Sequence, residues 1–228
     1  MFKSSSKALA AFALLFVIVA TQGCFDRYHD REDNTITGSN HLVSETRSVP
    51  DFDGIRILNQ ANVSVTQDER ESVRIEVNEN VADRVVARVV NGVLEVGFDD
   101  GSYHEVTLNV SVSLPLLHSV EIDGSGTIAT LNRITTDRLT SSIKGAGNIS
   151  ISGTANNHTA MIIGSGNLLT YGLETENTTV TISGSGNAEI TVTGTLDAVI
   201  EGVGSIEYAG NPETVHRTIS GVGSISPR

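Results

Sequence analysis

The chain is expected to be all-β: a β-solenoid of stacked repeats with a β-rich N-terminal half. Three observations lead there. An isoleucine two residues before a Gly-x-Gly recurs six times: EIDGSGTI (121–128), SIKGAGNI (142–149), MIIGSGNL (161–168), TISGSGNA (181–188), VIEGVGSI (199–206) and TISGVGSI (218–225). The first glycines, Gly124, Gly145, Gly164, Gly184, Gly202 and Gly221, are spaced by 21, 19, 20, 18 and 19 residues, a near-constant period that marks stacked repeats. Upstream of them, apolar and polar residues alternate with the period of half-buried strands. Aromatic residues are only 4% of the chain and tryptophan is absent, so Val, Ile, Leu and Ala must fill the core.

Residues 1–23 read as a secretory signal rather than as part of the fold. Lys3 and Lys7 precede the apolar run ALAAFALLFVIVA (8–20), which is short for a membrane span and suited to a signal peptide. Cys24, the only cysteine, follows directly and has no internal disulfide partner. The pattern points to a bacterial lipoprotein, cleaved before Cys24 and anchored in the membrane through lipid on that residue. Gly23 fits a lipobox, while Thr21 and Gln22 depart from its usual residues. An ordinary secretory signal with an incidental cysteine is the alternative. Phe25, rather than an aspartate, follows the cysteine and favours the outer membrane.

Without the two signal lysines the chain carries 13 basic and 27 acidic residues, a net of −14. That balance argues against nucleic acid, which needs a basic footprint. It suits a soluble, displayed domain. Residues 24–48 are charged and polar with little periodicity and are expected to tether the domain to the lipid.

The N-terminal β strands span 49–117. IRIL (55–58), NVSVTQ (62–67) and SVRIEVN (72–78) alternate as strands. VADRVVARVV (81–90) is expected to start with a helical turn and then extend. Asn91-Gly92, between apolar runs, is a strong hairpin signal. EVTLNVSVSLP (105–115) reads as a long strand that Pro115 ends.

The repeats occupy 118–228. Six coils at about 4.8 Å each would stack over roughly 29 Å. The isoleucines, and the residues four past each first glycine, should form interior columns. Two reasons are expected for the paired glycines Gly124/Gly126, Gly145/Gly147, Gly164/Gly166, Gly184/Gly186, Gly202/Gly204 and Gly221/Gly223. They permit a corner with positive φ, and they let backbones approach without a Cβ. Asn148, Asn167 and Asn187 follow the motif in three consecutive coils and are expected to stack as an amide column, with Thr127, Ser205 and Ser224 in the same slot.

SVPDFDGIRI (48–57), the VNGVLEV hairpin, VTLNVSVSLPLLHSVEIDGSG (106–126) and the repeated I-x-G-x-G-N together resemble the auto-transporter adhesin head GIN domain family. The resemblance spans 49–228. It implies an all-β, right-handed β-helix-like solenoid in a lipoprotein or secreted protein of the Gram-negative envelope, with an adhesive role. Val203, Val222, Ser205 and Ser224 depart from the pattern in the last two repeats.

Motifs of catalysis are missing from the sequence. There is no GxSxG, Walker loop, HExxH or CxxC, and the glycine pairs lack the third glycine and following helix of a dinucleotide site. The six histidines lack ligand spacing, so neither metal nor cofactor is expected. Asp51, Asp53, Asp99 and Asp100 read as turn residues. One constellation suggests chemistry: Asp123 and Lys144, each just before a first glycine, would be neighbours on adjacent coils. A carbohydrate-active β-helix enzyme, of polysaccharide lyase or hydrolase type, would use such a pair; a surface ion pair is the plainer reading. The expected function is therefore non-catalytic: binding, adhesion or scaffolding at the envelope, with glycans or envelope proteins as partners. Self-association through the C-terminal coil is a further expectation, because a terminal coil presents an open edge.

Overall fold

Alternating β-branched and small polar residues favour strand almost throughout, and strand is what forms. The computed structural model describes residues 34–228. The N-terminal half contributes β1 (Thr35–Thr37), β2 (Leu42–Arg47), β3 (Gly54–Ile57), β4 (Gln60–Gln67), β5 (Ser72–Asn78), β6 (Val85–Val90), β7 (Val93–Phe98), β8 (Ser102–His104) and β9 (Leu108–Leu114). A 3-10 helix, Glu79–Arg84, precedes β6, which is the helical turn read from the sequence. The repeats form β10 (Ser119–Ile122), β11 (Ser125–Thr130), β12 (Ile134–Ile143), β13 (Ala146–Ser150), β14 (Gly153–Ile162), β15 (Asn167–Ile182), β16 (Ser185–Ile200), β17 (Val203–Ala209), β18 (Thr214–Ile219) and β19 (Val222–Pro227).

Every pairing between successive coils is parallel, and the register brings the repeated positions opposite one another, with two shifts between β15 and β16 absorbing the unequal coil lengths. Ile122, Ile143, Ile162, Ile182, Ile200 and Ile219 lie opposite one another from coil to coil. So do Ile128, Ile149, Leu168, Ala188, Ile206 and Ile225 on the strands after the corner. Five full turns separate Gly124 from Gly221. The first five isoleucines are at most 1% exposed, whereas Ile219 in the last coil is 45% exposed. Burial of these columns is what holds the coils together, and no coil can achieve it alone.

The N-terminal half does more than precede the repeats. β3 and β4 pair in parallel with β10 and β11, and on their other side with β7 and β9. β3 with β4, and β7 with β9, thus add two more rungs to the stack, laid out of chain order. Beyond these rungs the direction reverses. β6 pairs antiparallel with β7 through the Asn91-Gly92 hairpin, where both residues have positive φ. β5 pairs antiparallel with β9, and β2 with β5. The reversed strands close this end, and Glu45 and Arg47 charge the outermost one, a common way to blunt a sheet edge.

The tether predicted for 24–48 needs correction where it is described. Thr35–Thr37 pairs with β8, and Leu42–Arg47 pairs with β5. These segments are edge strands held by backbone hydrogen bonds and one partly buried flank, so they need no strong apolar pattern. Cys24 and the signal segment lie outside the described residues. Among the described residues, no helix is long and apolar enough to cross a membrane.

Candidate functional site

The repeated corner is the most regular surface feature of the molecule. At each corner the residue before the first glycine donates its N–H to the carbonyl of the isoleucine one coil earlier, as Lys144 does to Ile122 and Ser183 to Ile162, both at 2.8 Å. The residue between the glycines then donates to the first glycine of the previous coil. Ala146 N reaches Gly124 O at 2.9 Å, Ser165 N reaches Gly145 O at 2.8 Å, and Val203 N reaches Gly184 O at 2.8 Å. A Cβ on Gly145 would fall 1.8 Å from Gly124 O; one on Gly164, Gly184, Gly202 or Gly221 would fall within 2.0 Å of the glycine oxygen below it. Gly124 itself sits over Asn59 O at 1.9 Å. The second glycines are equally confined: Gly126 over Ala61 O at 1.8 Å, Gly147 over Gly126 O at 2.7 Å, Gly166 and Gly186 each 2.2 Å from the glycine oxygen beneath, and Gly204 and Gly223 each at 1.9 Å.

Close approach, then, is why glycine is required here. The other expected reason, positive φ, applies to Gly126 alone among the twelve, at +127°. The other eleven corner glycines turn without entering the positive-φ region that favours glycine.

The asparagines stand in line beside the glycines. Asn167 Nδ2 donates to Asn148 Oδ1 at 2.9 Å, and Asn187 Nδ2 donates to Asn167 Oδ1 at 3.3 Å. Ser205 ends the run by donating its N–H and hydroxyl to Asn187 Oδ1 at 3.1 and 2.8 Å. The same slot holds Asn62 and Asn109 in the two extra rungs, joined at 3.4 Å. Those two were missed in the sequence because neither follows a glycine pair. Asn167 and Asn187 each spend one N–H on the amide below and keep a second for solvent or ligand. Without side chains on the glycines, the corner sinks into a trough of about 360 Å³ lined by Ser165, Asn167, Ser185, Asn187 and Val203.

Asp123 and Lys144 do meet, but as part of a larger charge network. Arg88, Glu95, Arg56 and Glu121 lie opposite one another on β6, β7, β3 and β10, alternating in sign. Arg88 Nε lies 2.9 Å from Glu95, and Arg56 Nη2 lies 2.6 Å from Glu121. Lys144 Nζ bonds Glu121 and stands 3.3 Å from Asp123. Burial pushes the Glu121 carboxyl up, but hydrogen bonds from Lys144 and Arg56 outweigh it and leave that carboxyl below its usual range. The same bond from Glu121 raises Lys144. An amine held protonated between carboxylates is poorly suited to act as a base.

A second depression, about 490 Å³, lies on another flank among Thr135, Asp137, Thr154, Asn156, Glu174 and Glu176. Among the described residues, no three His, Cys, Asp or Glu side chains are placed to hold a metal ion.

The comparisons agree with this geometry. A similar solved structure, described as a "putative adhesin" from Bacteroides fragilis, is 22% identical with a TM-score of 0.70, covering 85% of this chain and 100% of that one. A "putative lipid binding protein" from Parabacteroides distasonis is 19% identical with a TM-score of 0.55, covering 85% and 99%. A "putative adhesin" from Parabacteroides merdae is 20% identical with a TM-score of 0.53, covering 86% and 99%. At these identities the likeness is one of fold. No curated protein matches the chain. The family model described as "Putative auto-transporter adhesin, head GIN domain" matches residues 51–212, most of the solenoid and its N-terminal rungs, and the chain belongs to that family.

Proposed function

We propose that the protein is a non-catalytic, lipid-anchored component of the cell envelope that binds extended glycans along its repeated corner. The observation that carries this reading is the trough beside Asn148, Asn167 and Asn187. It offers a serine hydroxyl and an asparagine amide on each of two successive coils, Ser165 with Asn167 and Ser185 with Asn187, one rung apart. A polymer with a short repeat can meet several such groups at once. Contacts that are weak singly then add through avidity. The acidic surface favours neutral over anionic chains. Membership of an adhesin-type family supports a binding role and an envelope location.

Lipid on Cys24 would hold the domain at the membrane, each buried CH₂ contributing about 0.8 kcal/mol. Two measurements on the full chain test the reading. Cys24→Ala should move the protein from the membrane to the soluble fraction; retention in the membrane would remove the anchor. Immobilised neutral envelope polysaccharides should retain the wild type more than Asn167→Leu/Asn187→Leu. Equal retention of the two proteins would remove the trough as the binding site.

A further inference from the structure

The two ends of the solenoid are finished differently. Reversed strands close the N-terminal end. At the other end, among the described residues, β18 and β19 pair only inward, with β16 and β17. Ile219 and Val222 there are 45% and 71% exposed. Such an edge is a template for another strand.

Arg217 stands in the way. The register sets Leu196, Ala198 and Ile200 opposite Val215, Arg217 and Ile219. The column that ends in Arg217 runs through Ser141, Ala160, Val180 and Ala198, all small or medium and all at most 2% exposed. Arginine is thus placed at an inward position of the coil. Its guanidinium turns across the end of the core, 5.4 Å from the centre of the Tyr208 ring, and bonds the Tyr208 hydroxyl. Another rung laid on this end would have to bury that charge.

We propose that Arg217 closes the C-terminal end of the solenoid, and that the occupant it excludes is a second copy of this chain. Inward-pointing charge on an edge strand is a known guard against pairing. A second copy is the natural competitor because its own terminal coil has the same exposed edge and the same uncovered apolar residues. A two-fold axis through the corner at Gly221 would set β18 against the partner's β19, antiparallel, on both sides at once. Such an interface is closed and would give a dimer rather than a fibre. Charge otherwise permits it: residues 210–228 contain one acid, Glu213, against Arg217 and Arg228, in a strongly acidic chain.

The test is sedimentation equilibrium on the full chain in one detergent, comparing wild type, Arg217→Val, Arg217→Ala and Arg217→Lys. Wild type and Arg217→Lys should remain monomeric. Arg217→Val and Arg217→Ala should dimerise with a dissociation constant at least tenfold lower, about 1.4 kcal/mol. Their melting temperatures should rise with protein concentration. Arg217→Ala repeats the residue of the preceding coil, so it keeps the register if valine disturbs it. The proposal is overturned if both variants melt cooperatively yet stay monomeric. It is equally overturned if the wild type dimerises as tightly as they do.

Discussion

Acid should loosen this protein through one side chain, His158. The residue lies on β14, 2% exposed, with Nε2 3.0 Å from the hydroxyl of buried Ser141. Leu139 and Thr178 lie opposite it on the flanking strands, and neither is charged. Burial pulls its pKa down from 6.5 to about 4. The folded pKa is therefore below the unfolded one, so the unfolded chain takes up the proton first. The stability at stake is fully present above pH 6.5 and is lost as pH falls towards 4. With these two values the loss is about 2 kcal/mol at pH 5 and about 3 kcal/mol at pH 4. Urea melts of the wild type at pH 7.5, 6 and 5 should show the decline. His158→Leu should not show it over the same range. Leucine fits, since Leu139 and Leu196 hold the same column. Leaving Ser141 without its partner shifts the variant's stability by a pH-independent amount and does not affect the slope. If wild type and His158→Leu lose stability in parallel between pH 7.5 and 5, His158 is not the group responsible and the reasoning fails.

Two further outcomes follow from the corner. Gly164→Ala places a methyl 2.0 Å from Gly145 O and displaces the neighbouring Ser165–Gly145 hydrogen bond, so it should cost about 3 kcal/mol or more; a thermal melt within a degree of wild type would contradict the close-approach account. Asn167→Leu removes the amide bonds to both Asn148 and Asn187 and should cost about 1–2 kcal/mol, roughly 2–8 °C in Tm for a chain of this size. An unchanged melting temperature would make the amide column energetically idle.

The sequence exposed the repeat because stacking is local arithmetic. Each coil must return an isoleucine to the same place after about twenty residues, and the spacing of Ile122 to Ile219 shows that without coordinates. Asn91-Gly92 likewise gave away its hairpin, since few other pairs adopt positive φ twice in a row. The corner glycines were legible as necessary, but only half of the reason was. Only Gly126 among them has a positive φ, and what forbids a side chain at the rest is a carbonyl oxygen that belongs to the coil below. The rung formed by β3 and β4 was hidden for a similar cause. Asn59 and Ala61 take the places of the two glycines there, so no motif marks it. The edge strands within 34–48 leave little mark in the sequence, because an edge needs backbone partners more than an apolar pattern.

The strand period, the coil length and the apolar columns depend on residues near one another along the chain and are legible in it directly. The order of the rungs, the burial of His158, the union of Asp123 and Lys144 with Arg56 and Glu121, and the inward setting of Arg217 emerge only on folding. Each of these depends on which distant strand lies alongside. In a parallel stack, that neighbour is fixed by register across coils, which no single stretch of sequence contains.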